Sequence, residues 1–296
     1  MVRLVAKRLF GVSTHLYHSQ RLSRAHLLEI AAHGFELVEV FATRTHFDYH
    51  NPSAVADLQQ WLAEGGLELR SIHAPIAASF TNGRWGGAMS LASADADARA
   101  HAVSEAERAL HIARRIPAAV MVVHLGLPRS QPRDGHAGAA DTRAAARRSI
   151  EELHRIARPL GVRIAVEVLA NELSRAGSLV HFVEEDLPRL VELEGVEIGI
   201  CLDFGHAHLE GDLVDAIETV SEHLIATHVH DNRGRNDDHL LPFDGTIEWP
   251  AAMTAVQKVG FDGPLMLEIN PAGSTRETLA RARSAREKME RWLTSI

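Results

Sequence analysis

The stretch RPLGVRIAVEV, residues 158–168, places a helix end, a glycine and a short β-branched run in immediate succession. Glycine at this position is typical of a helix C-terminus, where the chain takes a left-handed conformation as it leaves the helix. The same order recurs around Gly34, Gly66, Gly195 and Gly260. Each recurrence predicts a passage from helix to strand.

Short apolar runs predict eight strands in this chain. They lie near residues 9–14, 35–41, 67–73, 119–124, 162–168, 196–202, 224–229 and 264–269. Stretches with helical periodicity lie between them, so strand and helix alternate throughout. Eight β/α units in 296 residues predict an α/β fold, a (β/α)8 TIM barrel, with one domain over residues 1–296.

Two connections are longer than a minimal strand-to-helix loop. Residues 77–95 and 127–141 are rich in Gly, Ser and Pro, and we expect both to be loops over the C-terminal face of the barrel. That face carries the active site in barrel enzymes, although both segments can equally be tolerated surface insertions. The final amphipathic stretch, 274–293, predicts a helix that closes the outer ring or makes a dimer contact.

Composition narrows the class of protein. The longest aliphatic run is too short to span a membrane and the amino end lacks a signal-peptide core, so we expect a soluble cytoplasmic protein. A single cysteine, Cys201, excludes an internal disulfide and any CxxC zinc site. The net charge of −8 and the lack of a polybasic segment disfavour a nucleic-acid partner. Oligomeric state, a homo-oligomer included, is not readable from the sequence.

Metal-capable side chains end six consecutive predicted strands, from the third to the eighth. In chain order they are His73, His124, Glu167, Asp203, His228 and Glu268. A single histidine or glutamate near a strand end is ordinarily hydrogen-bonded locally or solvated. Several carboxylates converging on one water-poor cavity would repel one another, and a divalent cation removes that repulsion. The set as a whole therefore predicts a metal centre.

Residues 227–239, THVHDNRGRNDDH, add further candidates at the same face. Asp237 and His239 can fold back over the end of the seventh strand, and His206 follows Asp203 closely enough to turn over the sixth. His230 shares a strand face with His228 and is expected to support a ligand or contact substrate. The competing interpretation of the segment is a solvated, Asp-rich loop.

These residues resemble the xylose isomerase-like barrel superfamily of sugar isomerases and epimerases, which also contains the endonuclease IV class. The resemblance runs from FGVSTHL to LMLEI, nearly the whole chain. It implies a Glu, Asp, His, Glu quartet for one divalent ion, and Glu167, Asp203, His228 and Glu268 match that quartet in order. The endonuclease branch holds three zinc ions with five further ligands, and these match His73, His124, His206, Asp237 and His239. Manganese or zinc, one to three ions, is therefore the implied cofactor.

Other segments separate the two branches of the superfamily. The stretches HLGLP, EVLAN and FDGTIEW depart from the nuclease pattern, and no basic, aromatic-tipped loop suited to opening a duplex is present. The resemblance thus favours an isomerase or epimerase acting on a small-molecule sugar, keto-sugar or polyol. Under that reading Glu167 and Glu268 transfer a proton through a metal-stabilised enediolate.

Four residues are candidates for contact with that substrate, namely His206, His230, Arg84 and Trp85. Two other activities stay open: phosphodiester hydrolysis at abasic DNA with three zinc ions, and a dehydratase or lyase that eliminates a hydroxyl. A purely structural metal is the least favoured reading, because structural sites are usually closed and four-coordinate.

Overall fold

In a computed structural model, which describes residues 10–127, 138–188 and 198–293, eight parallel strands form a closed barrel. The barrel strands, numbered with two additional strands of a hairpin, are β1 Phe10–Ser13, β2 Leu37–Phe41, β3 Glu68–His73, β6 Val120–Val123, β7 Arg163–Glu167, β8 Ile198–Asp203, β9 Leu224–Val229 and β10 Leu265–Leu267. Each pairs with its neighbours along the chain, and β1 pairs with β10 to close the ring. The predicted TIM barrel is confirmed.

Helices alternate with the barrel strands. In the part of the chain that the structure describes they are α1 Arg24–Ala32, α2 Pro52–Gly65, α3 Ala96–Leu110, α4 Ala139–Ala157, α5 Ala176–His181, α6 Phe204–Glu210, α7 Leu213–Val220, α8 Trp249–Lys258 and α9 Thr275–Leu293. None of these helices has the length and apolarity needed to cross a membrane.

Helix boundaries follow the local sequence. The α2 helix begins after Asn51, whose side chain accepts a hydrogen bond from the Ser53 N–H, and Pro52 occupies the first turn, where its missing donor costs nothing. The same helix ends at Gly66, which has a φ of 63°. The predicted glycines of three other passages are also left-handed, whereas Gly195 lies outside the described residues.

The segment predicted as a loop over residues 77–95 contains a β-hairpin, so that prediction was wrong for most of its length. Strands β4 Ala77–Thr81 and β5 Arg84–Ala88 pair in antiparallel fashion. Asn82 and Gly83 connect them with φ of 53° and 74°. An Asn-Gly pair with two positive φ angles forms the tight turn that matches the twist of a hairpin. Of the second predicted loop, 127–141, residues 128–137 lie outside the described residues, and 139–141 belong to α4.

Apolar side chains pack on both faces of the barrel strands. Outward side chains such as Ile72, Val166 and Leu202 join the large core between barrel and helices. Inside the barrel, Val122, Ala165 and Cys201 form a smaller cluster with Val120 and Ile225. Side chains thus alternate between the inside of the barrel and the outer core, and this alternation directs the polar residue at each strand end to the C-terminal mouth.

Candidate metal centre

The barrel gathers the predicted strand-end residues around one axis. His73, Glu167 and Asp203 are the last residues of their strands, His228 is next to last in β9, and His124 and Glu268 follow β6 and β10 directly. All six are buried, with exposures from 0% to 9%. Parallel strands end at one face of a barrel, so residues far apart in sequence meet there.

Glu167, Asp203, His228 and Glu268 form what we call the floor cluster, because each offers a ligand atom within 4.8 Å of the others. The His228 Nδ1 atom lies 3.2 Å from Glu167 Oε1 and 3.1 Å from Glu268 Oε2. Two carboxylates thus flank a single imidazole nitrogen at the bottom of the mouth.

His73 and His124 approach the opposite oxygen of Glu167. Their Nε2 atoms lie 3.2 and 3.0 Å from Glu167 Oε2. His73, Glu167 and His228 form a second metal-capable group. One oxygen of Glu167 therefore faces the floor cluster and the other faces two further imidazoles.

His206, His230, Asp237 and His239 form a third group, here called the rim cluster. Asp237 Oδ2 lies 3.0 Å from His206 Nε2 and 3.2 Å from His239 Nε2. His230 stacks on His239 with ring centroids 4.0 Å apart, and its Nε2 lies 3.0 Å from Asp203. The rim cluster is thus joined to the floor cluster through Asp203.

The segment that carries Asp237 and His239 is held by the buried carboxylate of Asp231. Its two oxygens accept hydrogen bonds from the backbone N–H groups of Asn232, Phe243 and Ile247 and from the indole N–H of Trp249. Gly234 is left-handed, as its place in the turn requires, with a φ of 71°. Asp231 therefore fixes the path of residues 232–247, here called the rim segment.

In the metal centre, neighbouring charges outweigh the effect of burial on the pKa values of the side chains. Burial by itself would raise the pKa of Glu167, but the imidazoles of His228 and His124 outweigh it and hold that pKa well below its usual range. Burial would lower the pKa of His228, and the surrounding Cys201, Glu268, Glu39 and Glu167 raise it well above the usual value.

Neighbouring charges also outweigh burial in the rim cluster. Burial opposes the charge of His239, yet Asp237 and, more weakly, Glu268 raise its pKa to about 10. A cation that binds at either cluster must therefore displace protons from imidazoles, which makes its affinity depend on pH.

The atoms of the floor cluster fit a divalent cation. Glu167 Oε1 and His228 Nδ1 are both buried and neither has a hydrogen-bond partner, although they lie 3.2 Å apart. Both atoms are therefore available to a ligand at the floor of the cavity. Three carboxylates and an imidazole that gives up its Nδ1 proton to the cation suit zinc, manganese, cobalt or iron.

A cavity of about 690 Å³ opens above these groups. Its wall includes Glu167, Glu268, His206, His239 and, from the hairpin, Trp85. Asp203, His228 and His230 lie beneath its surface and do not line it. Arg84 is exposed on the hairpin and also does not line the cavity. Of the four predicted substrate contacts, the structure therefore brings His206 and Trp85 to the cavity.

Three functional candidates were missed by the sequence analysis. His15 and His18 follow β1 and line the cavity, where His15 stacks on His239 at 4.7 Å. Glu39 is a fully buried carboxylate in β2 whose Oε2 lies 3.1 Å from His228 Nε2. Its signal was available, since it is a lone acid at an inward position of an otherwise apolar run, LVEVF.

Similar solved structures share this fold. A D-tagatose 3-epimerase-like protein superposes with a TM-score of 0.77 at 21% identity, covering 96% of this chain and 98% of that one. The structure of IolI with a bound zinc atom superposes with a TM-score of 0.74 at 15% identity, covering 98% and 100%. At these identities the likeness establishes the fold.

Sequence relatives are matched over stretches of different length, and an uncharacterized protein of Methanocaldococcus jannaschii is 25% identical over 91% of this chain and 87% of its own length. Two others match shorter stretches. An uncharacterized protein of Sinorhizobium fredii is 44% identical over 24% of this chain and 23% of its own length. The inosose isomerase of Bacillus subtilis is 24% identical over 40% of this chain and 44% of its own length. The chain thus matches less than half the length of each of these last two relatives.

The family model described as the xylose isomerase-like TIM barrel matches residues 27–295, which span β2 to the end of α9 and include every residue of both clusters. The chain belongs to the xylose isomerase-like TIM barrel family.

Proposed function

We propose that the chain is a divalent-metal-dependent isomerase or epimerase of a small keto-sugar or polyol. The observation that carries the proposal is the pair of carboxylates, Glu167 and Glu268, that lie 3.2 and 3.1 Å from His228 Nδ1 and also line the cavity. Two acids on one site, open to a cavity of sugar size, can handle protons on a bound small molecule.

Glu167, Asp203, His228 and Glu268 would hold the ion. When bound, the ion would act as a Lewis acid that polarises a substrate carbonyl and makes the adjacent C–H more acidic. Glu167 and Glu268 belong to different strands, β7 and the end of β10, so they approach the cavity from different directions. One carboxylate would take the proton from carbon and the other would return one, giving isomerisation or epimerisation.

The surrounding residues assist this chemistry without moving the proton. His206 reaches the cavity wall and can donate to a substrate oxygen, and its position is fixed because its backbone N–H bonds Asp203 Oδ1 at 2.7 Å. Trp85, Phe41 and His18 line the cavity with aromatic rings, and Trp85 stacks on His18 with ring centroids 5.5 Å apart. Such a surface suits the C–H face of a sugar and excludes water from the reacting groups.

Names of similar proteins support the substrate class. The D-tagatose 3-epimerase-like protein and the inosose isomerase both carry names of enzymes that act on polyhydroxylated carbonyl compounds. A divalent cofactor is supported by the zinc atom of the IolI structure and by the metal-capable groups of this chain.

The test is carbon-bound hydrogen exchange. The chain is loaded with Mn²⁺, mixed with a panel of keto-sugars in D2O, and examined by proton NMR and mass spectrometry. Expected is deuterium at carbon next to the carbonyl, with formation of the isomer or epimer. Loss of water from the product would instead indicate a lyase, and no exchange with any panel member would contradict the proposal.

Variants make the same test specific to the two carboxylates. Glu167→Gln and Glu268→Gln are expected to slow exchange by about 100-fold or more, the usual contribution of a positioned acid or base. Glu151→Gln, at a partly exposed glutamate of α4 that pairs with Arg147, is the matched control and should leave exchange unchanged.

A second function is favoured by one observation, the contact of the rim cluster and of the His73–His124 pair with the floor cluster. With three metal-capable groups in one mouth, the centre would accommodate three zinc ions and a phosphodiesterase reaction on abasic DNA. Cleavage of an abasic duplex that stops with a chelator, together with three zinc ions per chain by elemental analysis, would replace the isomerase proposal. A single manganese or zinc ion would favour the isomerase.

A further inference from the structure

Glu39 lies below the cavity, in contact with the floor cluster but outside all three metal-capable groups. Its side chain is fully buried in the barrel. One oxygen, Oε2, accepts a hydrogen bond from Ser71 Oγ at 2.8 Å and lies 3.1 Å from His228 Nε2. Nothing in the proposed chemistry uses this carboxylate, and a buried carboxylate is costly unless it is paired and hydrogen-bonded, so Ser71 and His228 are the contacts that stabilise it.

The contact with His228 determines which nitrogen of that imidazole carries hydrogen. A carboxylate has no hydrogen to donate, and the Ser71 hydroxyl already donates to the same oxygen, so the hydrogen between Glu39 and His228 must be on Nε2. In a neutral imidazole the other nitrogen, Nδ1, then has a free lone pair. That nitrogen is the one that faces Glu167 and Glu268.

We infer that Glu39 is a positioning residue that holds His228 with Nε2–H toward β2 and the Nδ1 lone pair toward the ion, and so sets the affinity of the floor cluster. The inference rests on the proposed function, because it assumes that this cluster binds a divalent ion. A carboxylate behind a ligating histidine fixes its tautomer and ring orientation and makes the imidazole a better donor.

The chain provides a closely matched control in Glu105. This glutamate is also buried, and its Oε2 also lies against a hydroxyl and an imidazole, 2.6 Å from Tyr49 Oη and 2.8 Å from His50 Nε2. Glu105 belongs to α3 and does not line the cavity. Glu39→Gln and Glu105→Gln therefore remove the same kind of charge from the same kind of contact, inside and outside the metal centre.

The measurement is Mn²⁺ affinity by titration calorimetry on chelator-treated full-length chain. Glu39→Gln is expected to weaken binding on the order of 10- to 100-fold, since an amide can present its NH2 group to Nε2 and turn the lone pair away from Nδ1. Glu105→Gln is expected to lower the melting temperature and leave the affinity unchanged. Wild-type affinity in Glu39→Gln, or equal losses in both variants, would overturn the inference.

A second variant and a spectroscopic readout cover the case in which Glu39→Gln does not fold. Ser71→Ala keeps the carboxylate but frees it to rotate, and it should weaken binding by a smaller factor than Glu39→Gln. In the zinc-loaded wild type, two-dimensional 15N NMR of the histidine rings should show His228 with hydrogen on Nε2 and zinc on Nδ1. Zinc on Nε2, or unchanged affinity in Ser71→Ala when Glu39→Gln is unfolded, would overturn the inference.

Failure of this inference and failure of the proposed function are distinguishable. The inference is measured by metal affinity and ring tautomer, whereas the proposed function is measured by hydrogen exchange at carbon. Loss of affinity in Glu39→Gln without any exchange in the wild type would keep Glu39 in its role and reject the isomerase. Exchange in the wild type with undiminished affinity in Glu39→Gln would do the reverse.

Discussion

The floor cluster and the rim cluster use similar side chains but are built in different ways. Each floor residue lies in a barrel strand or directly after one, and Glu268, the last of them, is only 3% exposed. In the rim cluster, the Asp237 side chain is 36% exposed and His239 has a φ of 46°. Strand register thus dictates the floor, whereas the rim depends on a loop that must be held in place by other residues.

The difference shows which parts of a metal centre can change independently. Floor residues are separated by whole β/α units, and their spacing follows from the ring of eight strands. The rim residues Asp237 and His239 are carried by one segment whose path depends on Asp231. Substitutions in the floor cluster should therefore lower metal affinity directly. Substitutions around the rim should first alter the path of the rim segment.

The largest effect is expected at Glu167, which belongs to two metal-capable groups. Glu167→Gln should reduce affinity for Mn²⁺ at least about 100-fold, the upper end of the loss caused by removing an outer partner. Asp237→Asn should leave binding at the floor within about threefold of the wild type. Calorimetric titration of both variants checks the contrast, and comparable losses would show that the two clusters form one site.

Next in size is the loss of the loop anchor. Asp231→Asn turns an amide NH2 toward two of the four N–H groups that donate to the carboxylate, and we expect a loss of about 2.5 kcal/mol in the free energy of unfolding. Urea unfolding measures this loss, and trypsin should cleave the rim segment at Arg233 or Arg235 faster than in the wild type. Asp238→Asn, the same change in the same segment, should alter stability by under about 0.5 kcal/mol. Equal stability in the two variants would contradict the anchoring role.

A smaller loss of stability is expected at Gly245, where the rim segment passes close to Asp231. A Cβ at Gly245 would lie 2.2 Å from the backbone oxygen of Asn232 and 2.2 Å from Asp231 Oδ1, so Gly245→Ala should cost about 2 kcal/mol. Gly177→Ala in α5, where a Cβ meets nothing within 4 Å, should instead stabilise by under about 1 kcal/mol. Thermal unfolding of the pair checks the prediction, which would be wrong if both variants melted together.

The smallest effect concerns the hairpin, none of whose residues belongs to a metal-capable group. Trp85→Ala removes an aromatic surface packed on Phe80 at 4.6 Å and should weaken sugar binding about tenfold, or roughly 1.4 kcal/mol, with metal affinity unchanged. Arg84→Ala, next to it but exposed, should change neither quantity. A fall in metal affinity for Trp85→Ala would mean that the hairpin supports the floor cluster after all.

Much of the fold and of the floor cluster could be predicted from the sequence because both depend on short-range patterns. Helix ends at Gly66 and Gly161 set the boundaries of the following strands, and period-two alternation then placed Glu167 and Asp203 at the mouth. Because the strands of a barrel end at one face, residues placed at strand ends by these local patterns lie close together in space.

The parts that were not predicted depend on contacts between distant segments. Glu39 lies within a strand, two residues before its end, and its role appears only when β2 is brought near His228 across the barrel. Asp231 gave no signal, since its partners Phe243, Ile247 and Trp249 lie 12 to 18 residues further along the chain. The hairpin is a different case, because Asn82–Gly83 was a recognisable turn signal that the glycine-rich composition concealed.

The pairing of the first strand with the last has a consequence for how the protein is synthesised. Strand β1 hydrogen-bonds β10, and Thr275 Oγ1 donates to Glu29 Oε2 across 246 positions of sequence. Contacts of such range form late, because a long loop must close before they contribute. Glu268 comes directly after β10, so a nascent chain on the ribosome lacks the fourth floor residue until the last strand has emerged. Ion capture by the complete quartet would therefore mark the end of folding rather than its beginning.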